Sequence, residues 1–449
     1  MNLLTSALLT DLYHLNMIQA YLDHGDTGAA VFEFFVRKLP ARRGFLMAAG
    51  LEQVLDFLAG LRFSDEEIAW LAKTGRFEAN FLKQITTFRF EGDVHGVPEG
   101  RIVFADEPLI RITAPMPQAQ IAETRVMNLL HFQTLIASKA ARIVLAAPEK
   151  LLVDFGLRRA HGAEAGLLAA RASYIAGFSG TATTIAEHEF GIPVFGTMAH
   201  SFVEAFDSET AAFETFARSR PQNLTLLLDT YDTERAAERV VALAPKLKTQ
   251  GIAIRAVRLD SGDLLALSKS VRGILDAGGL RHVTIFASGG LDENAIADLL
   301  KHGAPIDGFG VGTNLTTSSD VPALDCAYKL QEYASVARRK HSAGKATWPG
   351  RKQVWRSYGP DGRMSGDTLS VDGDSQEGEA LIVLVMRGGK RLGPSPRLAG
   401  IRDLAARDLA RLPQDLRDLS PGAHYPVTVG NALRRLADEV DARIARQER

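Results

Sequence analysis

The feature that most constrains the fold is a regular alternation of short apolar runs with Ala-rich helical stretches between residues 118 and 330. Successive runs begin roughly 25 to 40 residues apart, the spacing that repeated strand–helix units require. Such units build a parallel β-sheet, either open or closed into a barrel. The predicted strands are Leu151–Phe155, Ile192–Gly196, Leu224–Leu228, Ala253–Leu259, Val283–Ala287 and Ile306–Val311.

Polar residues cluster directly after each of these strands. In an α/β barrel the loops that follow the strands open on one face, where active sites lie. Ordinary turn chemistry explains one or two such loops well and six together poorly, so the pattern favours an enzyme. The loops are Gly156–Arg159, Thr197–Ser201, Asp229–Thr233, Asp260–Asp263, Ser288–Gly290 and Gly312–Ser319.

The chain divides into three regions by pattern. Residues 1–117 mix helices with short strands and predict an N-terminal α/β domain, residues 118–330 form the barrel with its active-site loops, and residues 331–449 hold short strands and a closing amphipathic helix. We expect the last region to return in part to the N-terminal domain. The strands expected in the first region are Ala30–Val36, Gly92–Val97 and Pro108–Thr113.

Composition narrows the possible partners and compartment. The 449 residues are 46% apolar and 23% charged, which is typical of a globular protein with a large core. A net charge of −1 gives no support for a nucleic acid or an acidic membrane as partner. Cys326 is the only cysteine, so an intrachain disulfide is excluded and a reducing, cytoplasmic location is expected.

Glycines after two late strands predict a phosphate site. Ser288, Gly289 and Gly290 end one predicted strand, and Gly312 and Thr313 follow the next. Glycines let the backbone approach an anion, and helix N-termini present free N–H groups to it. In barrels, the loops after late strands often bind phosphate.

The segment RLDSGD places two carboxylates three residues apart beside an arginine. Asp260 or Ser261 could cap the helix that follows. Alternatively, Asp260 and Asp263 could face the hydroxyls of a sugar or a Mg²⁺ ion on its diphosphate. Because the segment ends a strand on the predicted active rim, together with Arg258, we favour ligand binding, with capping as a secondary role.

A histidine follows the GT pair of GTMAHS. Lone histidines are more often structural than catalytic, but His200 comes just after a predicted strand, among small residues. A neutral imidazole is a good nucleophile towards phosphoryl groups. His161, which follows Arg158 and Arg159, is a weaker candidate.

Taken together, these segments resemble the nicotinate phosphoribosyltransferase family. The resemblance extends from Thr10 to about Arg356 in order and without large gaps. It implies an irregular α/β barrel of the type II phosphoribosyltransferase kind, with an N-terminal α/β domain completed by C-terminal segments. The segments that carry it are TDLYHLNM, FEFFVRKLP, GLEQVLDFL, DFGLRRAHG, GFSGT, FGTMAHSFV, LLLDTYDT, VRLDSGDL, FASGGLDE, DGFGVGTNLTTS and KATWPGRKQVWR.

The same resemblance implies a reaction and its co-substrates. Nicotinate and phosphoribosyl diphosphate would give nicotinate mononucleotide and diphosphate in NAD salvage. ATP hydrolysis would be coupled to this transfer through a transient phosphohistidine at His200, and Mg²⁺ would accompany the diphosphate. The resemblance also implies a homodimer whose active sites are shared between subunits.

Residue roles follow from the resemblance position by position. Asp260 would act beside His200 in catalysis, with Asp260 and Asp263 as tentative metal ligands. The nicotinate contacts would be Tyr13 from the partner subunit, Phe155, Arg158, Thr197 and Arg258. The phosphate of the ribosyl donor would bind Ser288, Gly289, Gly290, Gly312 and Thr313.

Other functions stay open at this point. Nicotinamide phosphoribosyltransferases resemble the chain next best, but they carry an aspartate directly after a Gly-Thr pair, where this chain has Ala182. That difference favours nicotinate. A barrel lyase would need a Schiff-base lysine at a strand end, and none of the predicted strands has one. A relative that only binds nucleotide would be expected to lack His200, Arg258 or Asp260.

One basic cluster allows two interpretations. Arg37, Lys38, Arg42 and Arg43 could reach a neighbouring subunit's site or form a solvated turn. Since most such clusters are on the surface, the turn is favoured slightly.

Overall fold

The chain folds into two compact units, each described here by itself. The computed structural model describes residues 5–340, 346–419 and 422–447, so Lys345, which begins the KATWPGRKQVWR segment, lies outside the described residues. The first unit comprises Met1–Ser138 and Ala323–Arg449, and the second comprises Lys139–Pro322.

The elements are numbered in chain order. The helices are α1 (Leu12–His24), α2 (Leu51–Gly60), α3 (Asp65–Thr74), α4 (Ala79–Ile85), α5 (Met116–Ile121), α6 (Glu123–Ala146), α7 (Ala163–Ala176), α8 (Ile185–Phe190), α9 (His200–Glu204), α10 (Glu209–Ser219), α11 (Thr233–Thr249), α12 (Leu264–Ala277), α13 (Glu293–Lys301), α14 (Thr313–Thr316), α15 (Leu398–Ala410), α16 (Gln414–Arg417) and α17 (Asn431–Gln447), with a 3₁₀ turn at Leu157–Arg159.

The strands follow the same numbering. They are β1 (Ala29–Val36), β2 (Leu46–Met47), β3 (Asp93–Gly96), β4 (Ile102–Val103), β5 (Pro108–Pro115), β6 (Leu151–Asp154), β7 (Gly180–Thr181), β8 (Leu224–Leu227), β9 (Ile254–Leu259), β10 (Thr284–Ala287), β11 (Gly308–Val311), β12 (Cys326–Tyr333), β13 (Val336–Ala337), β14 (Lys352–Tyr358), β15 (Met364–Val371), β16 (Glu379–Ala380), β17 (Val383–Arg387), β18 (Lys390–Arg391) and β19 (Val427–Val429).

The first unit is built on a sheet to which both ends of the chain contribute. Among the described residues its order is β13-β12-β1-β5-β3-β17-β18, with antiparallel pairing. Strand β1 is buried along nearly all its length, which explains its continuous apolar sequence. Its one charge, Glu33, pairs with the Nζ of Lys352 at 2.7 Å. The predicted completion of the N-terminal domain by C-terminal segments is confirmed.

Helix α6 is a core helix. It is long and apolar enough to cross a membrane, but 72% of its most apolar window is buried inside the protein. The boundary between the two units falls within this helix, between residues 138 and 139, whereas the sequence pattern divides the chain at residue 117. At the other boundary the first unit resumes at Ala323 rather than after 330, because β12 pairs with β1.

The second unit contains the predicted parallel sheet. In the described ranges it has six strands in the order β7-β6-β11-β10-β9-β8, all parallel. Because β11, the last of the series, pairs with β6, the first, the sheet curls as a barrel does. The irregular barrel is thus confirmed as a half-barrel that stays open between β7 and β8.

The prediction of a strand at Ile192–Gly196 is wrong. Because this strand does not form, the sheet stays open between β7 and β8. Only an isolated bridge between Thr181 and Val194 forms there, in addition to the short β7 that the sequence did not reveal. Pro193 cannot donate a ladder hydrogen bond, and Val194 is 37% exposed. The segment makes two backbone hydrogen bonds with β7. Thr181 N–H donates to Pro193 O, and Phe195 N–H donates to Thr181 O.

Candidate active site

The carboxyl ends of the parallel strands bring polar side chains from several loops into one hydrogen-bonded network. Its centre is the pair Arg258 and Asp260, at the end of β9. Arg258 Nη2 donates to Asp260 Oδ1 at 2.7 Å, and Arg258 Nε donates to Ser288 Oγ at 2.9 Å. Ser288 also donates to Asp260. Arg258 is 12% exposed and Asp260 23%, so the network is open enough to meet a ligand and dry enough for strong electrostatics.

The environment of Asp260 keeps its carboxyl group ionised. Burial raises its pKa, but hydrogen bonds from Ser288 and Arg258 and the charges of Arg258 and His200 outweigh that effect. The pKa of Asp260 is therefore below its usual value.

His200 joins this network from the open side of the half-barrel. It is the first residue of α9, and its side chain is 38% exposed. Its Nδ1 lies 3.2 Å from Thr230 Oγ1, and its Nε2 lies 3.7 Å from Asp260 Oδ2. Contacts at both nitrogens restrict the rotation of the imidazole ring.

Asp229, after β8, is a second carboxylate beside Asp260. Its Oδ2 accepts the Asp260 backbone N–H at 3.0 Å and the Ser261 hydroxyl at 2.5 Å. Its Oδ1 is buried and has no hydrogen-bond partner among the described residues. A buried carboxylate oxygen without a partner is suited to a cation or a donor from a ligand.

The helix cap after β9 is supplied by a residue other than those expected. Asp263 is the N-cap of α12, and its Oδ1 accepts the Ala266 N–H at 3.1 Å. The interpretation of Asp260 or Ser261 as the cap is wrong, because both are committed to the network. Asp263, predicted tentatively as a metal ligand, is occupied by capping. Within the described ranges, no group of three or more His, Cys, Asp or Glu side chains is arranged so that it could hold a metal ion.

The two predicted phosphate loops lie side by side. Gly289 has φ +95°, and a Cβ there would lie 2.0 Å from the Asp260 carbonyl oxygen, so only glycine fits. Asn314 Nδ2, from the loop after β11, donates to the carbonyls of Gly290 and Leu291 at 2.9 and 3.1 Å.

Several residues of these loops are open to solvent. Gly289, Gly290 and Thr313 are all exposed. Asp292 caps α13 by accepting the N–H groups of Asn294 and Ala295. Anion binding at this loop would therefore rely on the glycine amides rather than on the helix terminus.

Phe155 forms the apolar side of the network. The Arg258 guanidinium carbon lies 5.3 Å from the centre of its ring, and the Phe286 ring lies 5.7 Å away. Gly310 makes room for it, since a Cβ at that position would lie 2.6 Å from the Phe155 ring. A cation held near an aromatic face is stabilised by the ring's quadrupole.

The other residues predicted to contact nicotinate differ from Arg258 and Phe155 in their exposure and in their location in the fold. Thr197 is half-buried, and its hydroxyl donates to the Thr225 carbonyl at 3.0 Å. Arg158 is exposed on the 3₁₀ turn, as is His161 just after it. Tyr13 is 49% exposed on α1 in the first unit, and Ala182 is exposed after β7.

Sequence reasoning missed a buried carboxylate at the first strand end. Asp154 accepts the Gly156 N–H at 2.8 Å and the Thr181 hydroxyl at 2.7 Å, which joins the ends of β6 and β7. Burial raises its pKa to about 6 against the two hydrogen bonds, which lower it. A single aspartate at the end of an apolar run carries no distinguishing pattern, so no sequence signal singled it out.

The basic cluster of the first unit does not act as one surface. Lys38 and Arg42 are exposed, as a solvated turn requires. Arg37 Nη1 pairs with Asp325 Oδ1 at 2.8 Å. Arg43 is only 2% exposed, so the solvated-turn interpretation is wrong for this residue.

A half-barrel with two glycine loops side by side at its carboxyl edge is the fold expected of a phosphoribosyltransferase, and two family models establish that class and specify it further. The model described as the nicotinate phosphoribosyltransferase N-terminal domain matches residues 8–131, and that of the nicotinate phosphoribosyltransferase family matches residues 151–348. The chain belongs to the nicotinate phosphoribosyltransferase family.

Relatives of known name agree over nearly the whole chain. A nicotinate phosphoribosyltransferase of Mycobacterium tuberculosis is 50% identical over 429 residues, covering 95% of this chain and 92% of the relative. That of Bacillus subtilis is 38% identical over 81% of this chain and 76% of its own length. The predicted activity, transfer of a phosphoribosyl group to nicotinate in NAD salvage, is confirmed.

Solved structures agree with the fold. The crystal structure of human nicotinic acid phosphoribosyltransferase has a TM-score of 0.85 at 29% identity, covering 96% of this chain and 99% of that one. A Pyrococcus furiosus structure named nicotinate-nucleotide pyrophosphorylase has a TM-score of 0.75 at 24% identity, a likeness that concerns the fold alone.

Proposed function

We propose that the transfer takes place at the network around Arg258 and Asp260, and that it is coupled to ATP hydrolysis through His200. The observation that carries this proposal is the contact set in which Asp260 meets Arg258, Ser288 and His200 within 4 Å. Around the Asp260 carboxylate it brings together Arg258 as the cation for the substrate's carboxylate, Ser288 of the proposed phosphate loop, and His200 as the phosphoryl acceptor.

Nicotinate binds through its carboxylate to Arg258. The bonds to Ser288 and Asp260 fix the guanidinium plane, and the nearby Phe155 ring offers an apolar surface for the pyridine. Arginine suits this role because its planar fork can meet both oxygens of a carboxylate. Thr197 and Arg158 contribute at the rim of the site.

Phosphoribosyl diphosphate binds with its phosphate groups on the backbone amides of Gly289, Gly290 and Thr313. The pyridine nitrogen attacks the anomeric carbon, a C–N bond forms, and the C–O bond to diphosphate breaks. The transition state resembles an oxocarbenium ion, as in glycoside cleavage. The ionised Asp260 carboxylate stabilises that positive charge.

A ring nitrogen of His200 attacks the γ-phosphorus of ATP, an N–P bond forms, and the P–O bond to ADP breaks. Water later hydrolyses the N–P bond and releases phosphate. The contact between Nδ1 and the Thr230 hydroxyl orients the ring. The Asp260 carboxylate, with Oδ2 3.7 Å from Nε2, faces the other ring nitrogen.

Mg²⁺ fits the oxygen-rich side of this site. Magnesium is commonly held by one or two carboxylates together with substrate phosphates and water, so a protein cage of three ligands is not needed. The partnerless Oδ1 of Asp229 and the neighbouring Asp260 would hold it, with Asp263 in a lesser role because of its capping bond. When bound, the ion neutralises the charge of the diphosphate leaving group.

A homodimer in the cytoplasm is the proposed context. Leu9, Leu12 and Tyr13 lie close together in the sequence and are 42%, 50% and 49% exposed, a cluster of apolar side chains suited to a subunit contact. Tyr13 would then complete the nicotinate site of the partner. The lone Cys326, half-buried and with its pKa raised by burial to about 11, is unreactive and compatible with a reducing compartment.

Product formation tests the proposal directly. Purified protein is incubated with phosphoribosyl diphosphate and Mg²⁺, with nicotinate or nicotinamide in parallel, each with and without ATP. We expect turnover of nicotinate that ATP stimulates. Turnover that is indifferent to ATP would remove the coupling from the proposal, and turnover of nicotinamide alone would contradict the assignment of the substrate.

A further inference from the structure

One buried lysine pairs with carboxylates in the two segments that directly continue the glycine loops of the active site. Lys139, on α6, has a side chain that is 0% exposed. Its Nζ lies 2.5 Å from Glu293 Oε2 and 2.8 Å from Asp320 Oδ1. Arg142, one turn further along the helix, places its Nε 2.9 Å from Glu293 Oε1.

The two carboxylates belong to the segments that continue the loops. Glu293 is the first residue of α13 and directly follows the loop of Ser288–Asp292. Asp320 lies four residues after the end of α14, which begins at Thr313. The Lys139 ammonium therefore bridges the backbone segments that carry Gly289 and Thr313.

A second bridge joins the same loops independently. Asn314, the second residue of α14, donates to the carbonyls of Gly290 and Leu291. The two loops are thus linked by a side-chain amide and, separately, by a buried ion cluster.

The free-energy cost of burying these charges indicates that the cluster has a role other than stabilising the fold. Burying charges is unfavourable unless they are paired, and replacing a buried ion cluster by apolar residues is often neutral or stabilising. Here Lys139 and Arg142 oppose Glu293 and Asp320, so the charges balance. Burial raises the pKa of Glu293, but Lys139 and Arg142 lower it to below its usual value, which keeps the cluster charged.

We propose that Lys139 is a positioning residue for phosphoribosyl diphosphate, which holds the Ser288–Asp292 loop and the Gly312–Asp320 segment at the separation that its phosphate groups require. The inference rests on the proposed binding of that substrate to the two loops. It predicts a specific defect, because loosening this bridge would disturb the phosphate site while leaving the Arg258 and Phe155 side of the network intact.

The test compares Lys139→Met with the wild-type enzyme. We expect the KM for phosphoribosyl diphosphate to rise roughly tenfold or more, since small misplacements of binding groups have effects of this size. The KM for nicotinate should stay within about twofold of wild type. Isothermal titration with phosphoribosyl diphosphate should show the same loss in Kd, and circular dichroism with thermal melting establishes that the variant is folded.

A matched pair of glutamines covers the case in which Lys139→Met does not fold. Glu293 and Glu209 are each the first residue of a helix, each 2% exposed in the side chain, and each paired with an arginine. Glu209, on α10, does not belong to the glycine loops. Glu293→Gln should weaken phosphoribosyl diphosphate binding, and Glu209→Gln should lower the melting temperature without changing that binding.

The outcomes separate this inference from the proposed function. If wild-type protein turns over nicotinate and folded Lys139→Met and Glu293→Gln retain wild-type KM and Kd for phosphoribosyl diphosphate, the positioning role is wrong and the proposed function stands. Equal losses in Glu293→Gln and Glu209→Gln would also overturn it, as a general structural effect. If wild-type protein binds no phosphoribosyl diphosphate, both proposals fail together.

Discussion

In the proposed site, Arg258 is the residue that would bind the nicotinate carboxylate directly. Two of its nitrogens are engaged with Ser288 and Asp260, and its guanidinium lies near the Phe155 ring. Replacing it with Ala should raise the KM for nicotinate roughly 10- to 100-fold, because a charged hydrogen bond to the carboxylate is lost. Steady-state kinetics with varied nicotinate measures this effect.

The control for Arg258 is on the same strand. Arg255, also on β9, is exposed, so Arg255→Ala should leave the KM for nicotinate at the wild-type value. An unchanged KM in Arg258→Ala would take that residue out of the nicotinate site.

His200 offers the second prediction at this scale. His200→Ala should abolish ATP hydrolysis but leave some transfer that needs no ATP, since the transfer step itself does not pass through the imidazole. His188→Ala is the control, because the His188 side chain is 85% exposed and pairs with the neighbouring Glu189 at 2.8 Å. Wild-type ATP hydrolysis in His200→Ala, measured as phosphate release, would rule out the phosphohistidine.

At the residue scale, sequence reasoning found the functional groups whose local sequence is distinctive. Arg258 lies near the end of a predicted strand, Asp260 and His200 follow predicted strands, and the structure brings all three together. Asp229 and Thr230 were included only as part of a polar loop, because their partners Asp260 and His200 are about 30 residues away. Such pairings depend on the curvature of the sheet, which local sequence does not encode.

Among the elements, β6 and β7 are joined at their carboxyl ends by Asp154, and this contact gives stability a pH dependence. The pKa of Asp154 is about 6 in the folded protein against 3.8 for an exposed aspartate. The folded state then binds the proton more tightly than the unfolded state does. Stability is therefore lost as pH rises from about 4 to about 6, by about 3 kcal/mol in total.

Asp154→Asn tests this assignment, because asparagine does not titrate. Urea denaturation at pH 4, 5, 6 and 7 should show that the free energy of unfolding of the variant increases relative to that of the wild type as pH rises. Asp207→Asn, at an exposed position of the same unit, should keep a constant difference from wild type across this range. A constant difference for Asp154→Asn as well would mean that Asp154 ionises with an ordinary pKa.

The strands show where local pattern suffices and where it does not. Five of the predicted strands form with ends within two residues of the prediction, because buried parallel strands have continuous apolar sequences. The sixth, Ile192–Gly196, has the same apolar character but includes Pro193 and follows the short β7. Whether such a segment pairs depends on its neighbours, so its sequence alone predicted a strand that does not form.

For the whole molecule, the order of the elements predicted the curled parallel sheet and the return of C-terminal strands to the N-terminal sheet. It did not predict that the two units divide within α6, because the sequence of a 24-residue, largely buried helix does not show which part packs in which unit. The exposed apolar residues around Tyr13 make the proposed dimer testable.

A shared active site makes a distinctive prediction for mixed dimers. Tyr13→Ala and Arg258→Ala should each be nearly inactive. If Tyr13 serves the partner's site, a heterodimer of the two variants has one site with both defects and one with neither. Co-expression at equal levels should then restore about a quarter of wild-type activity, because about half of the dimers are mixed and each has one intact site.

The control for the mixed dimers is co-expression of Arg258→Ala with His200→Ala, with dimer formation measured by light scattering. These residues lie in one unit and contact the same Asp260, so a mixed dimer has one defect in each site and ATP-coupled activity should not recover. If Tyr13→Ala and Arg258→Ala likewise fail to complement in verified heterodimers, Tyr13 acts within its own subunit. Recovery confined to the first pair would place the aromatic side chain across the subunit boundary, where it would make nicotinate binding dependent on assembly.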